Sequence, residues 1–467
     1  MSTQSSIMNT RSMVAILLAA AFMAILNQTL LTTALPHIMR DYGITADMGQ
    51  WVNSAFMLVN GVMIPITAFL IEKYTTRRLF FVAMGLFAVG TLVCAIAPTF
   101  EVLIAGRVIQ AGGAGIMMPL MQTVLLLIFP VEKRGSAMGM VGLVIAFAPA
   151  IGPTLSGWLV GIYHWSILFW IILPLALITI AAAAMRLENV SILKNPKLDI
   201  TSIILSSFGF GGILYGFSSA GTAGWASATF LIPVVIGVVT LTLFILRQLK
   251  LPQPVLEFRV FRYPVFLLTT IIGMIVFMSM IGSQTILPVY MQDMHEFTAF
   301  ETGLMLLPGA ILMGIMSPIT GRIFDRIGAR TLSLLGLGMI TVTTFMLTQL
   351  STDTSFLYLT LVSTVRMLGI ALCMMPVTTA GINNLPNSLI PHGTAMNNTM
   401  RQVAGAIGTA LLVTVMTQGA VSDGSMEGAV RGVNLAFLLA GSFSVVGLLL
   451  AFLLKRKPTE PSDSMNA

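Results

Sequence analysis

Three arginines stand where a charge is least welcome. Arg107, Arg366 and Arg401 each lie inside a long apolar stretch, where a cation costs roughly 2.5–3.5 kcal/mol on insertion scales. Such a residue is normally aimed at a cavity or a partner. No carboxylate is placed to be that partner: all 17 acidic residues fall at the ends of apolar runs, in loops or in tails. Neutral acceptors are available in Asn27, Gln28, Gln110, Asn397 and Asn398. Guanidinium groups among amides favour neutral, zwitterionic or anionic amphiphiles over permanent dications. Acids able to carry a proton sit near run ends, among them Asp41, Glu72 and Asp325.

Other chemistries fail on residue type. Intramembrane catalysis would want paired acids, a Ser/Lys or Ser/His pair, or an H-E-x-x-H helix inside the runs, and the sequence has none there. His37, His164, His295 and His392 lie at run ends or in loops without metal-ligand spacing, and Cys94 and Cys373 read as small apolar residues. No metal site or disulfide is expected. No G-x-x-x-x-G-K-[ST] stretch occurs, so no nucleotide-driven step is expected and no cofactor is called for. The pattern is that of a non-enzymatic membrane protein.

The scaffold holding these residues is all-α and integral to the membrane. Only 9% of the 467 residues are charged, and apolar runs of about 20 residues, the length that crosses a bilayer, recur from end to end. They predict fourteen spans, at 13–35, 50–71, 79–98, 102–128, 136–161, 165–185, 200–219, 229–249, 264–290, 301–321, 331–350, 356–380, 394–418 and 432–454. The first run lacks a convincing cleavage site and reads as a retained span. Of the 24 basic residues, Arg40 and Arg431 alone fall on one side, and the three arginines above lie within spans. The others, from Arg11 to the Lys455, Arg456, Lys457 tail, share the opposite side. The positive-inside rule then puts both termini in the cytoplasm. The net charge of +7 follows from topology and does not point to nucleic acid.

The chain repeats itself. LPHIMRD at 35–41 returns as LPVYMQD at 287–293, AFLIEKYTTR at 68–77 as GRIFDRIGAR at 321–330, and RGSAM at 134–138 as HGTAM at 392–396. Arg107 with its MMP at 117–119 matches Arg366 with MMP at 374–376. Two six-span halves follow: 1–185, and 263–467 with a short cytoplasmic tail. Residues 186–262 form an inserted two-helix linker. The insertion has no counterpart and is expected to pack at the periphery, leaving the centre intact. Parallel halves around a midplane site are a secondary-transporter architecture.

Four stretches carry a resemblance to a known family. GRIFDRIGAR resembles the loop signature of the major facilitator superfamily, G-x-x-x-D-R-x-G-x-R, with Asp325, Arg326, Gly328 and Arg330 in place. In the first-half copy Ala68, Glu72, Lys73, Thr75 and Arg77 occupy the matching positions, so both glycines are lost. RVIQAGGAG resembles the family's fourth-span motif, and PAIGPTLSG its fifth-span antiporter motif. ILNQTLLTTALP is similar to the first-span signature of the fourteen-span drug:proton antiporters, with Asn27 where an aspartate is usual. The likeness covers almost the whole chain and looks nearest to the lincomycin-resistance and related multidrug exporters of bacteria.

The resemblance implies the major facilitator fold in a bacterial plasma membrane, and proton-coupled export of amphiphilic drugs by alternating access. It implies a cavity lined by Asn27, Gln28, Arg107, Gln110 and Arg401. It also implies latches at Glu72, Lys73, Arg77, Asp325, Arg326, Gly328 and Arg330, and a hinge shaped by Gly142, Pro149, Gly152, Pro153 and Gly157. Trp51, Asn53, Gln284 and Tyr290 are candidates for further polar or aromatic contacts. Thirty-three methionines, several clustered, would give varied ligands a soft wall. The partners are small amphiphiles, protons and lipid, and the working unit is a monomer. The alternative is an exporter or facilitator of a physiological lipid, nucleotide or metabolite, with drugs as incidental passengers; the unpaired arginines favour it.

Overall fold

The computed structural model describes residues 2–190, 193–194, 196–420 and 425–454. Asp423, Glu460 and Asp463, and the basic residues Lys455, Arg456 and Lys457, lie outside the described residues. Lipid offers no partner for a bare N–H or C=O, so each apolar run closes its hydrogen bonds within a helix. Among the described residues fourteen helices are long and apolar enough to cross a membrane. They are α1 (Ser2–Tyr42), α2 (Ala46–Lys73), α3 (Thr76–Ala95), α4 (Phe100–Ile128), α5 (Arg134–Val160), α6 (Ile167–Arg186) and α7 (Ile200–Ala223). The second seven are α8 (Ala228–Lys250), α9 (Pro264–Val289), α10 (Ala299–Ile327), α11 (Ala329–Met346), α12 (Phe356–Asn383), α13 (Ile390–Ala420) and α14 (Met426–Ala451). Odd-numbered helices run away from the end where α1 begins, and even-numbered ones return to it. That end, which also receives the close of α14, is called the terminal end below.

Local chemistry sets where the helices start. Thr75 and Ser355 turn their hydroxyls to accept from the backbone N–H of Arg78 and Tyr358, the ordinary N-cap. Thr298 and Glu301 form a full capping box at α10. At the tight α10–α11 turn Gly328 has φ +78°, a backbone region that disfavours any side chain.

Helices α1–α6 pack on one another, as do α9–α14, and the two sets meet along α5–α10, α5–α12, α2–α13 and α4–α13. Small residues bring α5 and α10 close: a Cβ on Gly139 would lie 2.6 Å from the Ser317 carbonyl oxygen, and one on Gly142 2.8 Å from the Ser317 side chain. Further along α5 the next motif glycine, Gly152, turns instead to Thr29 of α1. The hinge motif is therefore divided: Gly142 serves the seam between the sets, and Gly152 serves packing within the first. Gly157 has only an ordinary van der Waals neighbour in Thr33, and Pro153 is exposed.

The inserted pair only half matches the expectation of a peripheral hairpin. α8 lies outside, with long apolar residues such as Val235, Val239 and Leu246 exposed. α7 lies across the seam, touching both α2 and α13. Leu214 presses on Gly61 of α2, Tyr215 stacks with Trp51 at 5.7 Å, and the Trp225 indole N–H donates to Thr414 Oγ1 on α13 at 2.6 Å. Three glycines, Gly209 and Gly212 of α7 and Gly237 of α8, let the two helices touch through backbone. At the terminal end Arg247 clasps Asp199 through two bonds of 2.7 and 3.1 Å, which holds that carboxyl down to about 2.

Candidate functional site

Arg107 is wholly enclosed in the first set of helices, at 0% exposure. Its Nε donates to the Val52 carbonyl at 3.0 Å, and its Nη1 donates to Asn27 Oδ1 at 2.6 Å and Gln110 Oε1 at 2.8 Å. Its guanidinium carbon sits 4.1 Å from the centre of the Phe56 ring, a cation–π arrangement. Gln110 passes its own amide hydrogen to Thr91 Oγ1 at 2.7 Å. In this arrangement Arg107, Asn27 and Gln110, expected to line a cavity, are enclosed together as a strut joining α1, α2 and α4. Two amides and a carbonyl take three of the arginine's donors, and Nη2 is left without a partner. Replacing Asn27 by Leu strands a buried donor, at a cost of roughly 1–3 kcal/mol. The midpoint of thermal unfolding should fall for Asn27→Leu and hold for Asn27→Asp; an unchanged midpoint for the leucine variant would remove the strut from the account.

Arg366, the repeat's counterpart, donates from Nη2 to the Ser279 carbonyl at 2.6 Å and to its hydroxyl at 2.8 Å. Among the described residues its Nε and Nη1 have no partner. The hydrogen-bond partner of Arg401 among them is Asn398 Oδ1, at 2.9 Å from Nη2. Asn398 in turn reaches across the seam, donating to Gln122 Oε1 of α4 at 2.7 Å. One turn nearer the terminal end, Thr123 and Thr394 meet at 2.7 Å. Arg401 thus stands on a closed floor between the two sets.

The floor continues to the terminal end as a set of latches. Asp325 of α10 accepts from the backbone N–H of Gly135 at 2.7 Å and of Ser136 at 2.9 Å, and from the Ser136 hydroxyl at 2.5 Å. α5 has no side-chain cap of its own, so an acid from the opposite set caps it and faces its dipole. Arg134 donates to Asn383 and Asn387 across the same seam, at 3.3 and 3.1 Å. In the first-half copy Glu72, buried at 6% exposure, accepts from Lys194 Nζ at 2.5 Å and lies 3.1 Å from His392 Nε2. His392 Nδ1 accepts from the Glu257 backbone N–H at 3.2 Å. With Nδ1 an acceptor, the neutral ring's proton is on Nε2 and is donated to Glu72. A crevice of about 310 Å³, bulk solvent included, opens beside this group between Glu72, Lys194 and Ser388.

The remaining latch candidates do not cross the seam in this way. Arg77 donates to the Ala184 carbonyl within its own set at 2.6 Å, Lys73 lies against Phe69 and Tyr74, and Arg326 is exposed. Arg330 is half-buried at the start of α11. Among the aromatic and polar candidates, Tyr290 is fully buried near the far end, bonded to His295 and to the Ser351 carbonyl at 2.8 and 2.6 Å. Trp51 is taken up by Tyr215. Gln28, Asn53 and Gln284 are half-buried, and the Asn53 carbonyl oxygen has no partner. His392 and Lys194 were missed as site residues. For His392 the signal was in the repeat: HGTAM at 392–396 sets a histidine against Arg134 of RGSAM.

The pattern of the Major Facilitator Superfamily matches residues 17–409. An MFS-type transporter of Bacillus subtilis is 58% identical, covering 98% of both chains. The lincomycin resistance protein of Listeria monocytogenes is 41% identical over 95% of this chain and 96% of its own. The multidrug export protein of Haemophilus influenzae is 30% identical, over 84% and 78%. Among solved structures, the human organic anion transporter MFSD10 superposes with a TM-score of 0.70 at 14% identity, covering 94% of this chain and 99% of that one; at that identity the likeness is one of fold.

Proposed function

Because this chain belongs to the major facilitator superfamily, and is a multi-span transporter of a bacterial plasma membrane rather than an enzyme, we propose that it exports amphiphilic drugs by proton-coupled antiport. A transporter of this family needs no cofactor. The terminal end is read as cytoplasmic, on the distribution of basic residues. The arrangement described above is then the state closed to the cytoplasm, with Asp325, Arg134 and Glu72 holding the two six-helix halves together.

The observation that carries proton coupling is the Glu72–His392 contact. Glu72 is a buried acid that meets His392 across the seam, and the position that corresponds to His392 in the repeat is Arg134. Along α13 a file of polar residues (Arg401, Asn398, Asn397, Thr394 and His392) leads from the middle of the bundle towards Glu72. A proton arriving on Glu72 removes the charge that holds Lys194 and His392, so the cytoplasmic end opens. Release into the cytoplasm restores the charge, and the halves close again. Protons moving inward thus bias the two states in the direction that carries drug outward. The relatives named for lincomycin resistance and multidrug export support the drug class.

The test uses everted vesicles with an inside-acid gradient, challenged with lincomycin and with drugs of other charge. Drug-dependent loss of the gradient, abolished in vesicles lacking the protein, is the expected result. If no drug moves protons while a cell metabolite still equilibrates, the chain is a facilitator and the antiport reading fails.

A further inference from the structure

Resting on the exporter reading, we infer that Arg401 is the seat for an anionic headgroup, a carboxylate or a phosphate, on an amphiphile whose apolar body lies along Phe277. Three arginines are buried in the bundle, and they are not equally satisfied. Arg107 spends Nε and Nη1 on three acceptors and lacks a partner only at Nη2. Arg366 leaves Nε and Nη1 unpartnered too, but its Nη2 is anchored to a carbonyl and a hydroxyl of its own set, whereas the partner of Arg401 is itself bonded across the seam. Arg401 has a single neutral partner, and its Nε and Nη1 are both unpartnered at 5% residue exposure.

Its surroundings are built in the same sense. Gln122 Nε2, a further donor, and Asn397 Oδ1, an acceptor, are also buried without partners. Gln122 comes from α4 and the others from α13, so the unpaired atoms belong to both halves. The Phe277 ring of α9 lies 5.5 Å from the guanidinium carbon, an apolar wall beside the charge. The floor made by Gln122–Asn398 and Thr123–Thr394 closes the terminal side. Arg401 is the twelfth residue of α13, about 17 Å from its start, and no acid of the described spans lies that deep. Such a seat pairs a fixed cation with one amide donor and one amide acceptor. It selects an anion carrying a hydroxyl or amide hydrogen for Asn397, and repels a cation.

Two dyes of one scaffold and opposite charge test this: carboxyfluorescein and rhodamine 6G, bound to the purified full chain in nanodiscs and followed by fluorescence polarisation. Carboxyfluorescein should bind at least ten times more tightly than the rhodamine. Arg401→Gln should remove that preference, and Arg401→Lys should keep part of it. Asn397→Asp leaves the arginine in place and supplies an internal carboxylate. It should weaken the anion by tenfold or more, so the seat is tested even if Arg401→Gln folds poorly. Equal binding of both dyes, or a preference untouched by Asn397→Asp, overturns the assignment. A chloride titration from a chloride-free buffer of low ionic strength separates the sources of the anion: chloride that displaces no dye, or displaces it only by competition, fits the organic seat. Saturable chloride binding with no dye binding overturns it in favour of a small inorganic ion. Proton flux driven by drugs with no charge preference would sink this seat alone, whereas anion binding without any drug-driven flux would sink the exporter reading and leave the seat.

Discussion

Glu72→Gln is expected to reduce drug-driven proton movement to background, a loss of about 100-fold or more, while drug still equilibrates down its own gradient. Glutamine preserves the length of the side chain and one acceptor oxygen, so the fold around residue 72 is kept. It cannot carry a negative charge or take up a proton. The contacts at stake are the 2.5 Å bond from Lys194 and the 3.1 Å contact with His392. Hydrogen bonds to a charged group contribute roughly 1.5–3 kcal/mol each, and each 1.4 kcal/mol is about a tenfold change in population. The closed state should therefore lose ground as well as its dependence on pH. His392→Arg copies the fixed charge found at Arg134 in the other half. It should hold the latch closed more firmly and slow turnover without abolishing it. Everted vesicles with a pH-sensitive dye read proton movement, and labelled lincomycin reads downhill flux. Full drug-driven proton flux in Glu72→Gln would place the proton carrier at another acid.

The second large effect is expected at the α5–α10 seam. Gly139→Val puts a branched side chain where a single Cβ already falls 2.6 Å from the Ser317 carbonyl oxygen and 2.9 Å from Pro318 Cα. Both are backbone atoms that cannot swing aside, so the two helices must separate. Overpacking of this kind costs about 1–3 kcal/mol, and here the cost falls on the closed state. The balance between the two states should move by about 10- to 100-fold towards opening at the terminal end, and transport should fall with it. Asp325→Ala acts in the same direction by removing the cap on α5, which it supplies through three bonds of 2.5 to 2.9 Å. Spin labels on α5 and α10 near the terminal end would report the change as a longer distance. A distance distribution unchanged in both variants would show that this seam does not govern the equilibrium.

Much of this was legible before any coordinate was known, for reasons that differ from residue to residue. The fourteen helices follow from apolar run length alone, because lipid leaves the backbone no partner but itself. Asp325 could be named because its motif is local: the glycine turn at Gly328, the acid and the basic residues lie within one short loop. That three buried arginines would find amides and carbonyls instead of acids followed from the inventory of the chain. What the inventory could not tell was which amide each arginine would take. Asn27 and Arg107 are 80 residues apart and meet only because α1 and α4 are neighbours. The same limit explains why Arg107 and Arg401 looked alike on paper, although one is closed in by three acceptors and the other by a single one. It also explains Tyr290, Tyr215 and Trp225, whose partners Ser351, Trp51 and Thr414 all come from distant segments.

The class of protein, the number of spans, the repeat and the lack of a deep acid are all written along the chain. These depend on composition and on contacts close along the chain. Packing alone brings the Asp325 cap of the opposite half to α5, lays α7 across the seam, joins Glu72 to His392, and leaves Arg401 with two free donors beside a bond that crosses between the halves. Each of those depends on side chains from separate helices arriving within about 3 Å of one another, a distance set by how the helices pack.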